Sequence, residues 1–191
     1  MHSHKKFFEL LPFQSHGLFS ITGFVSQTGD TLSCYVEWKG NISSLKLNPS
    51  LSKTNLGERK EGLWNSNCFE IFVKEATSTA YTEWNFAPTG EWFSLVFSDY
   101  RKRDDNREAP HPLHGEWNFT EDSVRGNFHI PLQFHKTDSF QNKQAILVGL
   151  SSILLTPGGK PSYWALSHQG SQADFHDFKC FTISFTQEST S

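Results

Sequence analysis

The chain has 191 residues, a net charge of −3 and a pI near 6.3, without the basic surface that nucleic acid or anionic lipid requires. Apolar residues make up 36% and aromatics 15%, with 18 Phe and 6 Trp against one Met, a bias that favours strands over long helices. This length suits a single domain over 1–191, with a core over about 7–186, and buries enough surface to need neither disulfide nor metal.

At the N-terminus, Lys5-Lys6 precede Phe7–Pro12, a stretch too short, and too interrupted by Glu9, for the apolar part of an export signal. No run of 18 apolar residues occurs either, so no membrane partner and a cytoplasmic setting are expected. Cys34, Cys68 and Cys180 are odd in number, lack metal spacing and sit in β-like runs, which reads as three buried thiols.

Period-2 alternation marks Leu18–Val25 and Leu32–Trp38 as a hairpin across Thr28-Gly29-Asp30. Ile42–Leu47 reads as a weaker strand, and 48–62 as a long polar loop of the kind that carries function. Asn67–Lys74, Tyr81–Phe86 and Glu91–Phe97 alternate as strands, the last two joined by the turn Ala87-Pro88-Thr89-Gly90. Beyond a charged connection over 101–114 come Glu116–Phe119, Ser123–Ile130, Ala145–Leu155 and Phe178–Phe185. Roughly nine or ten short strands with long crossings predict an all-β fold, an antiparallel two-sheet β-sandwich of jelly-roll or immunoglobulin-like kind.

No phosphate-binding loop, HExxH or GxSxG is present, so catalysis is not expected. Glu70 and Glu83 share the polar parity of neighbouring strands, as the carboxylates of a glycosidase would. Outward-facing polar residues are the simpler reading. His168, Asp174 and His176 are chemically able to bind a metal, but structural histidines explain the same pattern. Trp84 and Trp92, in mid-strand, read as core. Trp64, at the end of the polar loop, has no obligatory core role. An indole offers its face to the C–H surface of a sugar ring, while Glu, Asn and Arg side chains around it meet the hydroxyls.

The runs LWNSNCFEIFVK, YTEWNFAPTGEWFSLVFSDYRKR and SYWALSHQGSQADFH resemble the bacterial DOMON-like domain proteins, which are similar to family 9 carbohydrate-binding modules. GNFHIPL and FHDFKCFTISF agree more weakly, and the resemblance covers about positions 60–185. It implies a β-sandwich that binds a sugar or, in other DOMON members, haem. In those modules a sugar lies between two aromatic rings beside a Glu, an Asn and an Arg. Carried over, this implies Trp64 and Glu70, Arg101 for the arginine, and Trp164 for the second aromatic, with Phe175 as its rival. Haem held by Met and His is excluded because the only Met is Met1, and no cofactor is expected. The expectation is a non-catalytic module for a small molecule, foremost a sugar, using Trp64, Glu70, Asn85, Arg101, Trp164 and His168. The alternatives are a module for a protein partner, a carbohydrate-active enzyme built on Glu70 and Glu83, and a haem- or metal-binding domain.

Overall fold

The run TLSCYVEWKG alternates without a break, and its Leu32, Cys34, Val36 and Trp38 are buried while the residues between them are not. A strand with one face on a core requires that pattern. The computed structural model describes residues 4–14, 18–45, 47, 52–132, 145–156, 158 and 160–186, and nearly every regular segment among them is a strand. In chain order these are β1 (Lys5–Pro12), β2 (Phe19–Thr28), β3 (Thr31–Gly40), β4 (Lys53–Asn55), β5 (Cys68–Glu75), β6 (Tyr81–Phe86) and β7 (Trp92–Asp99). There follow β8 (Lys102–Arg103), β9 (His114–Phe119), β10 (Ser123–Pro131), β11 (Ile146–Leu155), β12 (Pro161–Ala165) and β13 (Ile183–Phe185). Among the described residues no helix is long and apolar enough to cross a membrane.

All pairings between these strands are antiparallel. One sheet runs β4-β9-β10-β3-β2-β1 and the other β12-β11-β5-β6-β7-β8, with β13 also pairing with β11. Strand β1 joins them: Lys5–Leu10 pair with β2, then Leu11 and Pro12 pair with β12. Aromatic packing fills the space between the two inner faces. Phe128 of β10 stacks on Phe86 of β6 at 4.1 Å and on Phe69 of β5 at 6.0 Å, and Trp38 meets Trp117 at 5.0 Å. Trp84 and Trp92 join this core as expected, their indole N–H groups donating to the Pro110 and Gly57 carbonyls. The three cysteines are free and buried.

The second sheet is covered on its other face as well, so β6 is buried along its whole length. Leu63, Cys68, Phe72, Tyr81, Phe97, Cys180 and Phe181 form a separate apolar cluster there. The chain over 175–181 lies across this face, with Phe181 against Phe72 at 5.6 Å and Phe178 against Tyr81 at 5.6 Å.

Three segments differ from the sequence expectation. Instead of a strand at Ile42–Leu47 the chain makes a 3₁₀ turn, Ile42–Ser44, because the Ser44 N–H and hydroxyl both donate to the Asn41 carbonyl. Within 48–62, whose residues 48–51 lie outside the described set, β4 pairs with β9 and Arg59 bridges to Trp92, so main-chain pairing ties this stretch down. The expected strand Phe178–Phe185 is a 3₁₀ turn, capped by the Asp177 carboxylate accepting from the Lys179 N–H, followed by the shorter β13.

Candidate functional site

Because successive strand residues face opposite ways, Phe69 and Phe86 enter the inter-sheet core while Glu70 and Asn85 are placed on the outer face. The register sets a polar row there, Ser151–Glu70–Asn85, and puts Glu83 one row away opposite Phe72. Above these residues opens a cleft of about 830 Å³, within the range of small-molecule sites. Its floor includes Glu70 and Glu83, and its walls carry Trp64, Arg101, Tyr163 and Phe175. Trp64 stands on a 3₁₀ turn, Leu63–Asn65, that begins after Gly62 in the left-handed conformation at φ +88. The indole is half-buried, its ring 6.5 Å from that of Phe93.

Both floor carboxyls are almost wholly enclosed, Glu70 at 3% and Glu83 at 4% exposure. The Ser151 hydroxyl donates to Glu70 Oε2 at 2.5 Å, and the Asn85 amide donates to Glu83 Oε1 at 2.7 Å. Glu83 Oε2 is buried with no hydrogen-bond partner among the described residues. Burial pushes the Glu70 carboxyl up to about 8, and the negative charge of Glu83 adds to the rise. Burial likewise raises Glu83 to about 7, against the opposing Asn85 hydrogen bond.

A polar network fixes the wall beside them. Arg101 has φ +53, a strained backbone for a residue with a side chain, and its N–H donates to the Tyr81 hydroxyl at 3.1 Å. Tyr81 in turn donates to His176 Nδ1 at 2.6 Å. The His176 proton is therefore on Nε2, 3.8 Å from Glu83 Oε2 and too distant for a hydrogen bond. Burial, then the Arg101 charge, lowers His176 to about 4, so the ring is neutral at ordinary pH. The Arg101 guanidinium is held by Asp174 at 2.8 Å, and Tyr100 donates to the same carboxylate at 2.5 Å.

Of the residues singled out by sequence, Trp64, Glu70 and Arg101 line the cleft together, as does Phe175. Asn85 lies beneath it, fully buried, holding Glu83 and accepting from the Cys68 thiol at 3.6 Å, so its amide is already engaged. Trp164 is a correction. It is 2% exposed in the inter-sheet core with its indole N–H on the Ser162 hydroxyl, because its position in β12 faces inward. His168 is another: its Nε2 bonds the Leu11 carbonyl at 2.8 Å and its ring packs on Phe13, at the end of β1. Glu70 and Glu83 do lie on the outer face of their sheet, but the segment over 175–181 covers that face, so both are buried. Among the described residues no three His, Cys, Asp or Glu side chains gather closely enough to hold a metal. Sequence reasoning passed over Tyr163, His176 and Arg103 as cleft residues. Tyr163, next to Trp164 in SYWAL, was the one with a visible signal.

No protein-family model matches the sequence, and no curated protein matches it. Its fold is similar to that of a protein from Bacteroides uniformis ATCC 8492 proposed to bind carbohydrate, with a TM-score of 0.60 and 14% identity. That likeness covers 96% of this chain and 86% of the other. A family 9 carbohydrate-binding module from Caldicellulosiruptor kristjanssonii, solved in complex with cellotriose, is similar at a TM-score of 0.54 and 9% identity, over 84% of this chain and 72% of that one. The chain thus has an all-β sandwich fold shared with carbohydrate-binding modules.

Proposed function

We propose that this protein is a non-catalytic carbohydrate-binding module, and that the cleft on the outer face of the second sheet is its site. One observation carries the reading: the rings of Trp64, Tyr163 and Phe175 border a ligand-sized cleft whose floor and wall present Glu70, Glu83 and Arg101. Aromatic faces suit the C–H side of a sugar ring, and carboxyl and guanidinium groups suit its hydroxyls. The similar fold of the module solved with cellotriose supports the reading. Kinship with the DOMON-like proteins belongs to the same proposal, and three free, buried thiols suit a cytoplasmic setting.

A thermal-shift panel of mono- and oligosaccharides tests it. A saccharide at about 100 times its dissociation constant adds about 2.7 kcal/mol to stability, a clear rise in melting temperature. A flat panel removes the proposal. One observation favours a second reading, glycoside hydrolysis: two carboxyls with raised pKa face one cleft. Release of reducing sugar from an oligosaccharide, lost in Glu83→Gln, would replace binding by catalysis.

A further inference from the structure

The floor of the cleft holds two acids with no lysine or arginine bonded to them among the described residues. Each arginine that lines it already has an acidic partner: Arg101 is held by Asp174, and Arg103 by Glu61 at 2.5 Å and by Asp105. Among the described residues neither Glu70 nor Glu83 is paired with a lysine or arginine. The nearest basic group to Glu83 is His176 at 3.8 Å, held neutral by its burial. An enclosed acid pair without a bonded cation holds its protons, and the free Glu83 oxygen is an acceptor left for a ligand's cationic N–H.

We propose that the cleft takes a ligand bearing a protonated primary amine, seated on the unpartnered Glu83 Oε2 between Glu83 and Glu70. This rests on the carbohydrate reading, under which the ligand is an amino sugar with its amine free. An ammonium suits the place better than a metal ion, because among the described residues the two carboxyls and His176 do not gather closely enough to hold a metal. The rings of Trp64 and Phe175 in the walls offer apolar surface to the rest of such a ligand. The surrounding charges agree. Tyr81 and His176 are neutral, Arg101 and Arg103 are ion-paired with acidic partners, and although the Arg101 charge still favours ionisation of both floor carboxyls, those two acids are the groups that meet the ligand's amine. Entry of the ammonium favours the ionised carboxylates, so protons held by Glu70 and Glu83 pass to the buffer on binding.

Calorimetric titration of the full chain near pH 7 provides the test, with D-glucosamine, D-glucose, N-acetyl-D-glucosamine and cyclohexylammonium as titrants. Each is measured in two buffers of different ionisation enthalpy. Glucosamine is expected to bind about ten- to a hundredfold more tightly than glucose or N-acetylglucosamine, the worth of a charge-assisted hydrogen bond, with net proton release. Glu83→Gln is expected to erase that preference, and Glu70→Gln to reduce it. Equal or tighter binding of the neutral sugars, or a preference that survives Glu83→Gln, overturns the inference and leaves the carbohydrate reading in place. Binding of cyclohexylammonium with no sugar bound sustains the ammonium site and removes the carbohydrate reading. No binding of either amine overturns the inference.

Discussion

Replacing Glu83 by Gln probes the electrostatics of the cleft floor through stability alone. Burial keeps the proton on Glu83 to about pH 7 and on Glu70 to about 8, against an ordinary 4.5 for each. A carboxyl raised in this way binds more protons folded than unfolded, so its contribution is complete at low pH and falls as pH rises through the folded value. His176, lowered from 6.5 to about 4, and His129, also lowered by burial, have the opposite sign and add stability as pH rises to 6.5. The trends oppose each other from about pH 4.5 upward; above about 6.5 the histidine contribution fades and the carboxyls set the slope.

Each retained proton changes stability by about 1.4 kcal/mol per pH unit. Both carboxyls retain protons in the folded state that the unfolded chain has lost, so stability falls between about pH 6.5 and 8, by up to about 1.4 kcal/mol per pH unit for each proton still held. In Glu83→Gln only Glu70 remains, without the neighbouring charge that helps raise it, and the fall becomes shallower. The amide oxygen still accepts from Asn85, so the variant is expected to be more stable than the wild type at pH 8. Urea denaturation followed by tryptophan fluorescence at several pH values between about 5 and 9 reads these slopes. Wild-type stability that is flat or rising from pH 6.5 to 8, or an unchanged slope in the variant, refutes the reasoning.

Tyr81→Phe removes the hydroxyl that joins His176 Nδ1 to the Arg101 N–H, and is expected to cost about 1–2 kcal/mol by urea denaturation while weakening saccharide binding. Trp164→Ala leaves a cavity in the inter-sheet core and is expected to cost about 3–5 kcal/mol, yet to bind saccharide normally wherever it remains folded. Lost affinity at full stability would return Trp164 to the site. Gly149→Ala places a Cβ 2.6 Å from the Phe181 ring, which seats the covering segment on β11. It is expected to cost about 1–3 kcal/mol and to expose residues 166–181 to limited proteolysis; resistance equal to wild type would contradict that seating.

Strands β2, β3, β5, β6, β7, β10 and β11 were legible because alternation or an apolar run marked each, with turns such as that at Gly29, φ +56, between them. Strand β1 was not. Its buried residues are only Phe8 and Leu10, and its role depends on pairing with two distant partners, β2 and β12. The cleft shows the same division. Trp64, Glu70 and Arg101 were reached through the aromatic content of the loop and the family resemblance. Whether Tyr163 or Trp164 faces the cleft depends on the register of β12 against β11, which pairs Tyr163 with the cleft residue Ile153 and Trp164 with Ser152. A one-residue difference in that register exchanges the two rings, and no local pattern in SYWAL fixes it. The burial of Glu70 and Glu83 was hidden for a related reason: the chain that covers them arrives about 100 residues later in sequence.

The carbohydrate reading is tested most directly by calorimetric titration of the wild type and Trp64→Ala with whichever saccharide stabilises the wild type most. Loss of an aromatic anchor worth about 1.4 kcal/mol or more weakens binding at least tenfold, while circular dichroism shows the variant still folded. A folded Trp64→Ala that binds that saccharide as tightly as the wild type would contradict the placement of the site, and a wild type that binds no saccharide would contradict the function itself.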